Sequence, residues 1–289
     1  MKRMLTITIL IENATSNQSL VCEHGLSILL TCEGRTLLFD TGASSAFLRN
    51  ADLMGADLHR VSAIVLSHGH HDHTGGLEHV LRHFAQSASR TGKGARPPMP
   101  ELIAHPDILL HRRRAATDKD PGKHLGVPDA ALALLQTWPQ QMLKKPLHLT
   151  ENLLYLGEIP RKYPETQALL GEIARDGVYE TDRILDDSAL VYVHENGKGR
   201  ALTVITGCAH SGIINTIEHA RGVTGVRRIH AVIGGMHMKD ASAALRERTL
   251  RYFSEQDIAM LHGCHCTGNA LEGFARQKAL HTGDCLEIA

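Results

Sequence analysis

The stretch "LSHGHHDHTGGL" at residues 66–77 constrains this chain most, because it places four histidines and an aspartate within six positions. It follows the short apolar run "VSAIV", which is typical of a strand buried in an α/β sheet. Neutral imidazole and carboxylate groups are the usual protein ligands of zinc, iron and manganese. The pattern His-x-His-x-Asp-His directly after a strand therefore predicts a metal-binding loop.

The spacing within this loop separates its side chains into two pairs. His68 and His70 flank a glycine, so both imidazoles can turn to one side of a tight loop. Asp72 and His73 follow them and can face a second point a few ångströms away. Three other histidines of this region are interpreted as structural residues: His71, His79 and His83.

Composition excludes several classes of function. Lysine plus arginine and aspartate plus glutamate are balanced at 31 each, so net charge gives no argument for binding nucleic acid or an anionic membrane. The local run "HRRR" at 111–114 is interpreted as a solvated face. No apolar run reaches the roughly 18 to 20 residues that span a bilayer. The start "MKRMLTITILIEN" reads as a strand rather than a secretion signal.

Six cysteines in 289 residues do not form the dense framework of a disulfide-stabilised secreted domain. We expect reduced thiols and a cytoplasmic location. The sequence leaves the oligomeric state open.

The order of predicted elements indicates a single α/β domain over residues 1–289. "LSILLTCEGRTLLFDTG" predicts a hairpin that turns at Glu33-Gly34. "SSAFLRNADLMGADL", "TGGLEHVLRHFAQ" and "PDAALALLQTW" predict helices, and Gly75 and Gly76 are expected to let the backbone bend into the second of these. Residues 87–100 are rich in glycine, proline and arginine and predict an exposed loop. We interpret the surrounding stretch, about 85–182, as an insertion or lid.

Two parts of the chain are similar to each other. "RTLLFDTG" matches "RALTVITG", with Thr-Gly pairs 165 residues apart, and "SAIVLSHGH" matches "HAVIGGMH". We interpret them as two copies of one strand-rich unit whose strand ends face a shared cleft; a chance likeness between βα units is the alternative. A true repeat predicts a two-sheet sandwich flanked by helices, with its chemistry at the sheet edge.

The missing metal ligands are expected at other strand ends. His210 in "TGCAHSG", His265 in "MLHGCHCTG" and His237 in "IGGMHM" are the candidates. Cysteines lie beside two of them: Cys208, Cys264 and Cys266. Because neighbours in a strand point to opposite faces, thiols that flank a metal-facing histidine are expected to face the core.

The motifs "LLFDTG", "SHGHHDHTGGL", "TGCAHSG" and "HCTG", in this order, resemble those of the metallo-β-lactamase superfamily. "EHGLSILL", "GEIPR", "DDSALV", "GCAHSGIINTIEHA" and "AVIGGMHM" are similar to a branch of metal-dependent hydrolases that includes dihydropterin-linked aminobenzene ribofuranosyl phosphate synthases. The resemblance runs from the first strand to the last, apart from about residues 85–145. It implies a four-layer αββα sandwich of two similar halves.

The resemblance also implies ligand roles. It assigns His68, His70 and His210 to a first metal, and Asp72, His73 and His265 to a second. It makes Asp40 in "FDTG" a buried carboxylate beneath the histidines, which fixes a ring by accepting from its second nitrogen. From the residues alone, Asp40 could equally be a turn aspartate.

One departure from the family pattern affects the second metal. Many members of the superfamily bridge the metals with an aspartate at the end of the strand that corresponds to "AVIGG", where this chain has Gly234 or Gly235. His237 could substitute as a ligand or face the substrate, or water alone could bridge the metals. We count Asp72 and His237 as the candidate catalytic residues.

The leading functional expectation is metal-assisted hydrolysis. A metal with three histidines and an open position lowers the pKa of its water to about 7, so that bound hydroxide can attack a phosphoryl or carbonyl centre in an ester, phosphodiester or lactone-like substrate. We expect one or two Zn²⁺ ions, with Mn²⁺ or Fe²⁺ as alternatives. Arg161, Lys162 and Ser211, the last before a predicted helix, are candidates for holding an anionic small-molecule substrate.

Two other functions stay open. The resemblance to pterin-linked synthases implies a metal-dependent transferase that forms a C–N bond with water excluded. A sensor of metal or redox state, which uses Cys264 and Cys266 without turnover, is an alternative of a different class. The pair Asp186-Asp187 could supply a cleft carboxylate or cap the following strand.

Overall fold

The computed structural model describes residues 4–90, 99–117, 122–163 and 170–289. Its helices are α1 (Ala46–Leu53), α2 (His71–Thr74), α3 (Leu77–Arg90), α4 (Asp129–Leu135), α5 (Ile213–Thr224) and α6 (Ala243–Glu255). Its strands are β1 (Leu5–Ile11), β2 (Ser27–Cys32), β3 (Arg35–Phe39), β4 (Val61–Val65), β5 (Glu101–Ala104), β6 (Arg112–Arg113), β7 (Gln140–Met142), β8 (Leu147–His148), β9 (Leu153–Tyr155), β10 (Glu172–Arg175), β11 (Val178–Thr181), β12 (Ala189–Asn196), β13 (Gly199–Thr206), β14 (Ile229–Gly234), β15 (Met260–Gly263) and β16 (Cys285–Ile288).

Two large sheets carry the fold. The first has the strand order β16-β1-β2-β3-β4-β5-β7, and the second has the order β15-β14-β13-β12-β9-β8. A smaller sheet has the order β11-β10-β6. The N-terminal strand is confirmed as β1, and the predicted hairpin joins β2 to β3 through Glu33 and Gly34, both at positive φ.

The predicted repeat is confirmed by strand pairing. In the first sheet β2 and β3 are antiparallel, whereas β3, β4 and β5 are parallel. In the second sheet β12 and β13 are antiparallel, whereas β13, β14 and β15 are parallel. Parallel strands end at the same edge of a sheet, so each half presents its loops at one edge. Asp40 and Thr206 lie at these edges, directly after β3 and at the end of β13.

Three apolar cores lie between the four layers of the molecule. Phe39 from the first sheet and Tyr155 and Tyr192 from the second meet in one fully buried core between the sheets. Phe47 of α1 packs in a separate core outside the first sheet, and Phe253 of α6 packs in a third core outside the second. Helices therefore cover both outer faces, and the αββα architecture is confirmed. None of the described helices is both long and apolar enough to cross a membrane.

The stretch predicted as an insertion, 85–182, divides between the main sheets and a separate one. Strands β5 and β7 extend the first sheet, and β8 and β9 extend the second. Their apolar residues are buried or half-buried, so these strands belong to the sandwich; for example, Leu102 and Leu153 are fully buried, and Met142 and Leu147 pack against the cores. Strands β6, β10 and β11 form the small sheet instead. Of the described strands in this stretch, these three lie outside the two large sheets. Of the loop expected at 87–100, residues 91–98 lie outside the described part of the chain.

Candidate metal centre

The predicted ligands meet where the parallel strands end. The loops concerned follow β3, β4, β13, β14 and β15, and their side chains reach one cleft between the two sheets. The residues that they supply there are Asp40, His68, His70, Asp72, His73, Cys208, His210, His237, His265 and Cys266. The repeat places these loops together, because each half delivers its strand ends to the same edge.

Three histidines form a first group of potential metal ligands, called the first ligand set. His68 Nε2 lies 3.1 Å from His70 Nδ1, and one nitrogen of each of these rings and of His210 lies within 4.8 Å of the others. All three rings are buried. Burial holds the pKa of His68 well below its ordinary value and, together with the positive charge of Arg112, lowers that of His70 to about 4. The imidazoles of His68 and His70 are therefore neutral at pH 7 and can offer lone pairs to a metal.

A second group of potential metal ligands, called the second ligand set, lies beside the first. His73 Nε2 lies 3.2 Å from His265 Nε2, and Asp72 Oδ2 lies 3.3 Å from the same His265 nitrogen and 3.8 Å from His73 Nε2. Burial by itself would lower the pKa of His73. The negative charges of Asp72 and Asp40 outweigh this effect of burial and raise the pKa of His73 to about 9. The position thus favours a positive charge, which a bound cation could supply in place of a proton.

Asp40 lies where the resemblance places it. Its Oδ2 accepts from His73 Nδ1 at 2.7 Å, and its two oxygens accept from the backbone N–H and the hydroxyl of Ser67, both at 2.7 Å. Asp40 is fully buried and has a φ of 60°. Gly207 of the second half approaches so closely that a Cβ there would lie 2.9 Å from Asp40 Oδ2. Asp40 therefore fixes the orientation of the His73 ring and lies where the two halves meet.

Other hydrogen bonds set which nitrogen of each ring is available. Ser67 Oγ donates to Asp40 and therefore accepts from His68 Nδ1, 2.9 Å away, which places the lone pair of the His68 ring on Nε2. His265 Nδ1 donates to Asn13 Oδ1 at 3.0 Å, and the His265 backbone N–H donates to Glu12 Oε1 at 2.6 Å. These assignments follow from the hydrogen-bond network and turn the Nε2 atoms of both rings toward the cleft.

The core-facing orientation expected from strand alternation is wrong for Cys266, whose Sγ accepts from the His237 backbone N–H at 3.2 Å. Cys208, two residues before His210, also lies beside the candidate ligands, with its Sγ 3.1 Å from His73 Nε2. Cys264 packs into the core between the sheets, as expected. Cys266 differs because β15 ends before these residues and His265 begins a 3₁₀ turn with a φ of 52°, so the alternation of a strand does not apply.

The end of β14 offers no carboxylate and has no room for one. A Cβ at Gly235 would lie 2.2 Å from the Gly207 carbonyl oxygen and 2.7 Å from Cys266 Sγ. His237 follows with a φ of 46°, and its ring centroid is 4.3 Å from that of His210. Its side chain lines the cleft, so both expected roles for it, as ligand or as substrate contact, remain compatible with its position.

Backbone strain concentrates around this cleft. Asp40, Ala209, His237 and His265 all have a positive φ, between 46° and 60°, although none is glycine. Such conformations cost of order 1–3 kcal/mol each and persist where surrounding contacts enforce them. Their clustering beside the two ligand sets is independent support for a functional site.

A buried ion-pair network supports the loop of His68 and His70. Arg112 is only 1% exposed and donates to Asp182 Oδ2 and Asp186 Oδ1, both at 2.7 Å. The other oxygen of Asp186 accepts from the Gly69 backbone N–H at 2.7 Å. The interpretation of 111–114 as a solvated face is therefore wrong for Arg112. Asp187 instead accepts from the Ser211 backbone N–H and hydroxyl, at 2.8 and 2.6 Å.

Two adjoining cavities open from the ligand sets. One of about 330 Å³ is lined by ligand residues of both sets together with Lys239 and Asp240. The other, of about 650 Å³, is lined by Lys123, His124 and Leu125 and shares His24, His70, Asp72 and Leu170 with the first. Their sizes are those of small-molecule sites, and each cavity has one lysine in its lining.

The three predicted substrate contacts do not line these cavities. Arg161 donates to the carbonyl oxygens of Arg183 and Ile184, so its guanidinium fastens a loop. Lys162 is exposed and lies outside both cavities. Ser211 is buried against Asp187. A basic or hydroxyl residue near a motif does not by itself predict a substrate contact, because the direction of its side chain depends on contacts with distant residues.

His24 is a site residue that the sequence analysis did not single out. Its Nε2 lies 3.3 Å from Asp72 Oδ2, and its ring stacks on His265 with 4.8 Å between centroids. Burial opposes ionisation of Asp72, but the charge of His73 and the hydrogen bond from His24 hold the pKa of Asp72 well below its ordinary value. The motif "EHGLSILL" contained His24, and its place just before a strand was the available signal.

Comparison with known proteins is consistent with this geometry. A family model described as the metallo-beta-lactamase superfamily matches residues 20–129. An uncharacterized protein of Methanocaldococcus jannaschii is 31% identical over 264 residues, which cover 91% of this chain and 90% of that protein.

Two further relatives bear on the reaction. A crystal structure of a metal-dependent hydrolase of the beta-lactamase superfamily is similar with a TM-score of 0.78 and 26% identity, covering 99% of both chains. The 7,8-dihydropterin-6-methyl-4-(beta-D-ribofuranosyl)-aminobenzene-5'-phosphate synthase of the same archaeon is 25% identical over 303 residues, covering 96% of this chain and 94% of that protein. The relatives thus include both a hydrolase and a synthase.

Proposed function

Because this chain belongs to the metallo-beta-lactamase superfamily, we propose that it is a metal-dependent hydrolase of phosphoryl or carbonyl substrates. The observation that carries the proposal is the convergence of two buried ligand sets at one cleft. One is His68, His70 and His210, and the other is Asp72, His73 and His265. Adjacent cavities give a small molecule access to both sets.

The donor atoms suit a borderline divalent metal. Five imidazoles and one carboxylate fit zinc, with manganese and iron(II) as alternatives, and two sets allow two ions. When bound, such an ion acidifies water and polarises a carbonyl or phosphoryl oxygen. The protein holds the donors in place through Asp40 beneath His73 and Asn13 beside His265.

The chain's own residues would bind and orient the substrate. Lys123 and Lys239 line the two cavities from opposite parts of the sequence, so an anionic group could be held between them. His24 and His237 border the ligand sets and can exchange protons with substrate or water. We therefore propose a small anionic ester or phosphodiester as the substrate class.

The test is hydrolysis of chromogenic phosphodiesters, phosphomonoesters and carboxylic esters by protein freed of metal and then reloaded with zinc or manganese. We expect activity that disappears with chelator, returns with metal, and falls at least about 100-fold in His68→Ala and His210→Ala. His79→Ala is the matched control, since His79 is exposed on α3. Metal-independent activity, or full activity in both ligand variants, would refute the proposal.

A metal-dependent transferase of the pterin-linked synthase type is the second candidate. It is supported by the similarity to that synthase over nearly the whole of both chains, and by a cavity of about 650 Å³ that could hold a bicyclic ring beside the metals. Metal-bound protein that hydrolyses none of the simple substrates, yet joins a dihydropterin to an aminobenzene ribofuranosyl phosphate, would favour it. Metal binding without turnover of either kind would instead favour a sensor.

We also propose a cytoplasmic location with reduced thiols. All six cysteines are free, including the exposed Cys22 and Cys285. Thiol titration of protein purified under mild conditions should find them reduced, and a stable disulfide would argue against this location.

A further inference from the structure

We propose that Cys208, as a thiolate, is a ligand of the metal centre and lies between the two histidine sets. The inference deepens the proposed function, because it rests on metal binding at this cleft. It concerns a thiol whose role the sequence left open.

The position of the Cys208 sulfur is the first argument. Its Sγ belongs to three groups of donor atoms whose members all lie within 4.8 Å of one another. One group contains His68 and His73, the second contains His210 and His237, and the third contains His265 and Cys266. The sulfur therefore lies near ligands of both sets, as a donor shared between two metals must.

The contact with His73 is the second argument. Cys208 Sγ lies 3.1 Å from His73 Nε2, and Asp40 holds the opposite ring nitrogen. The sulfur and the free side of the His73 ring therefore face each other at a distance that one ion could span. A divalent metal bonded to both atoms would displace the thiol proton to solvent, since thiols bind metals in their deprotonated form.

The third argument is that the position directly after β14, Gly235, cannot carry a side chain. Gly235 has no room for a Cβ against the Gly207 carbonyl oxygen and Cys266 Sγ. A donor at the Gly235 position is therefore excluded, whereas Cys208, which follows the neighbouring strand β13, places its sulfur near both sets. Sulfur is also a good ligand for zinc and for other soft or borderline metals.

Cys266 has a different role in this arrangement. Its sulfur accepts from the His237 backbone N–H at 3.2 Å and lies 3.7 Å from the Cys208 carbonyl oxygen. These contacts fasten the loop after β15 to the loops after β13 and β14. We assign Cys266 to positioning and Cys208 to metal binding, which the experiment below separates.

The experiment uses cobalt(II) as the probe in the full chain. Thiolate–cobalt(II) bonds give an intense near-ultraviolet charge-transfer absorption that histidine and carboxylate ligands do not give. We expect the cobalt-loaded wild type and Cys266→Ala to show this band, and Cys208→Ala to lose it while keeping the weak visible bands of bound cobalt. Cys264→Ala is the matched control, because Cys264 is a buried thiol of the same region that faces the core.

The possible outcomes separate this inference from the proposed function. Visible cobalt bands without the charge-transfer band in the wild type would overturn the thiolate ligand and leave the histidine site standing. A band that survives Cys208→Ala would overturn it as well. Failure of the wild type to bind cobalt or zinc would overturn both proposals. If Cys208→Ala does not fold, X-ray absorption of the zinc-loaded wild type decides, with a sulfur neighbour expected at about 2.3 Å.

Discussion

Asp40 Oδ2 and His73 Nδ1 lie 2.7 Å apart, and both side chains are completely shielded from solvent. This pair links the end of β3 to the ligand loop after β4, so the first sheet directly orients a ligand of the second set. Since Asp40 also holds Ser67, which contacts His68, one carboxylate influences both ligand sets.

Replacing Asp40 with asparagine should weaken metal binding by about 10- to 100-fold, the range typical of residues that orient a ligand. Asparagine tolerates the positive φ at this position, so the backbone should be retained. Metal affinity would be measured by competition with a chromogenic chelator. Asp52→Asn, an exposed change on α1, should bind metal like the wild type. Equal affinities in all three proteins would contradict the role of Asp40.

Arg112 should be far more important for stability than its neighbour Arg113. Removing Arg112 as Arg112→Met leaves Asp182 and Asp186 buried without their partner, which should lower the free energy of unfolding by about 3–5 kcal/mol. Arg113→Met breaks a pair with Glu172 in which both side chains are about a quarter exposed, and should cost about 1 kcal/mol or less. Urea unfolding of the metal-free proteins measures both values, and equal losses would argue against the buried network.

Gly76 is required for close packing and not for a special backbone angle. A Cβ there would lie 2.1 Å from the Thr41 carbonyl oxygen and 2.5 Å from that of Ser44. A Cβ at Gly75 would lie similarly close to the backbone of Ala43, and Gly75 has an ordinary helical φ of −61°. The expectation that these glycines permit a bend is therefore wrong; they allow α3 to begin against the turn after β3.

The consequence is testable by two alanine substitutions. Gly76→Ala should lower the free energy of unfolding by about 1–3 kcal/mol or more, because backbone atoms must move. Gly222→Ala on α5, where nothing lies within 4 Å of the added atom, should instead raise it by about 0.5–1 kcal/mol. Thermal and urea unfolding would reveal the opposite signs, and a neutral Gly76→Ala would count against the close approach.

The folded protein should lose stability as pH falls below the ordinary histidine pKa of 6.5. His194, far from the metal loops, has a lowered pKa, chiefly because burial disfavours its charged form and also because His230 lies beside it. The unfolded chain then binds more protons than the folded chain below pH 6.5, so acid favours unfolding. His194→Gln should show a smaller loss of stability between about pH 7.5 and 5.5 than the wild type.

This comparison should use metal-free protein, so that release of metal does not contribute to the pH dependence. Urea unfolding at both pH values provides the four free energies required. The same pH-dependent loss in the variant and the wild type would show that His194 does not titrate as its surroundings indicate.

Much of the fold followed from the sequence because its signals are local or repeated. The alternating apolar runs predicted β1, the β2–β3 hairpin and β4, and the paired Thr-Gly turns predicted the two halves. The strands of 85–182 were harder to recognise, because β5, β7, β8 and β9 have only two to four residues each and join sheets that start far away in the chain. A short strand becomes identifiable only through its partner.

In the candidate site, too, some residues could be predicted from the sequence and others could not. His68 to His73 are close in sequence, so their convergence could be predicted from spacing alone. The positions of the thiols and of the Arg112 network could not be predicted in this way. The direction of the Cys266 side chain depends on the positive φ of His265, and Arg112 pairs with Asp186 across 74 residues. Side-chain direction after an irregular turn, and pairing over such distances, are properties of the folded chain.

The most direct test of the account is the metal content of the purified protein, determined by elemental analysis without exposure to chelator. We expect about two divalent metals per chain, one for each ligand set, with a reduced content in His68→Ala and His265→Ala. One metal that persists in His265→Ala and is lost in His68→Ala would contradict the second ligand set. A wild-type protein that binds no metal, before or after incubation with zinc, would contradict the central claim.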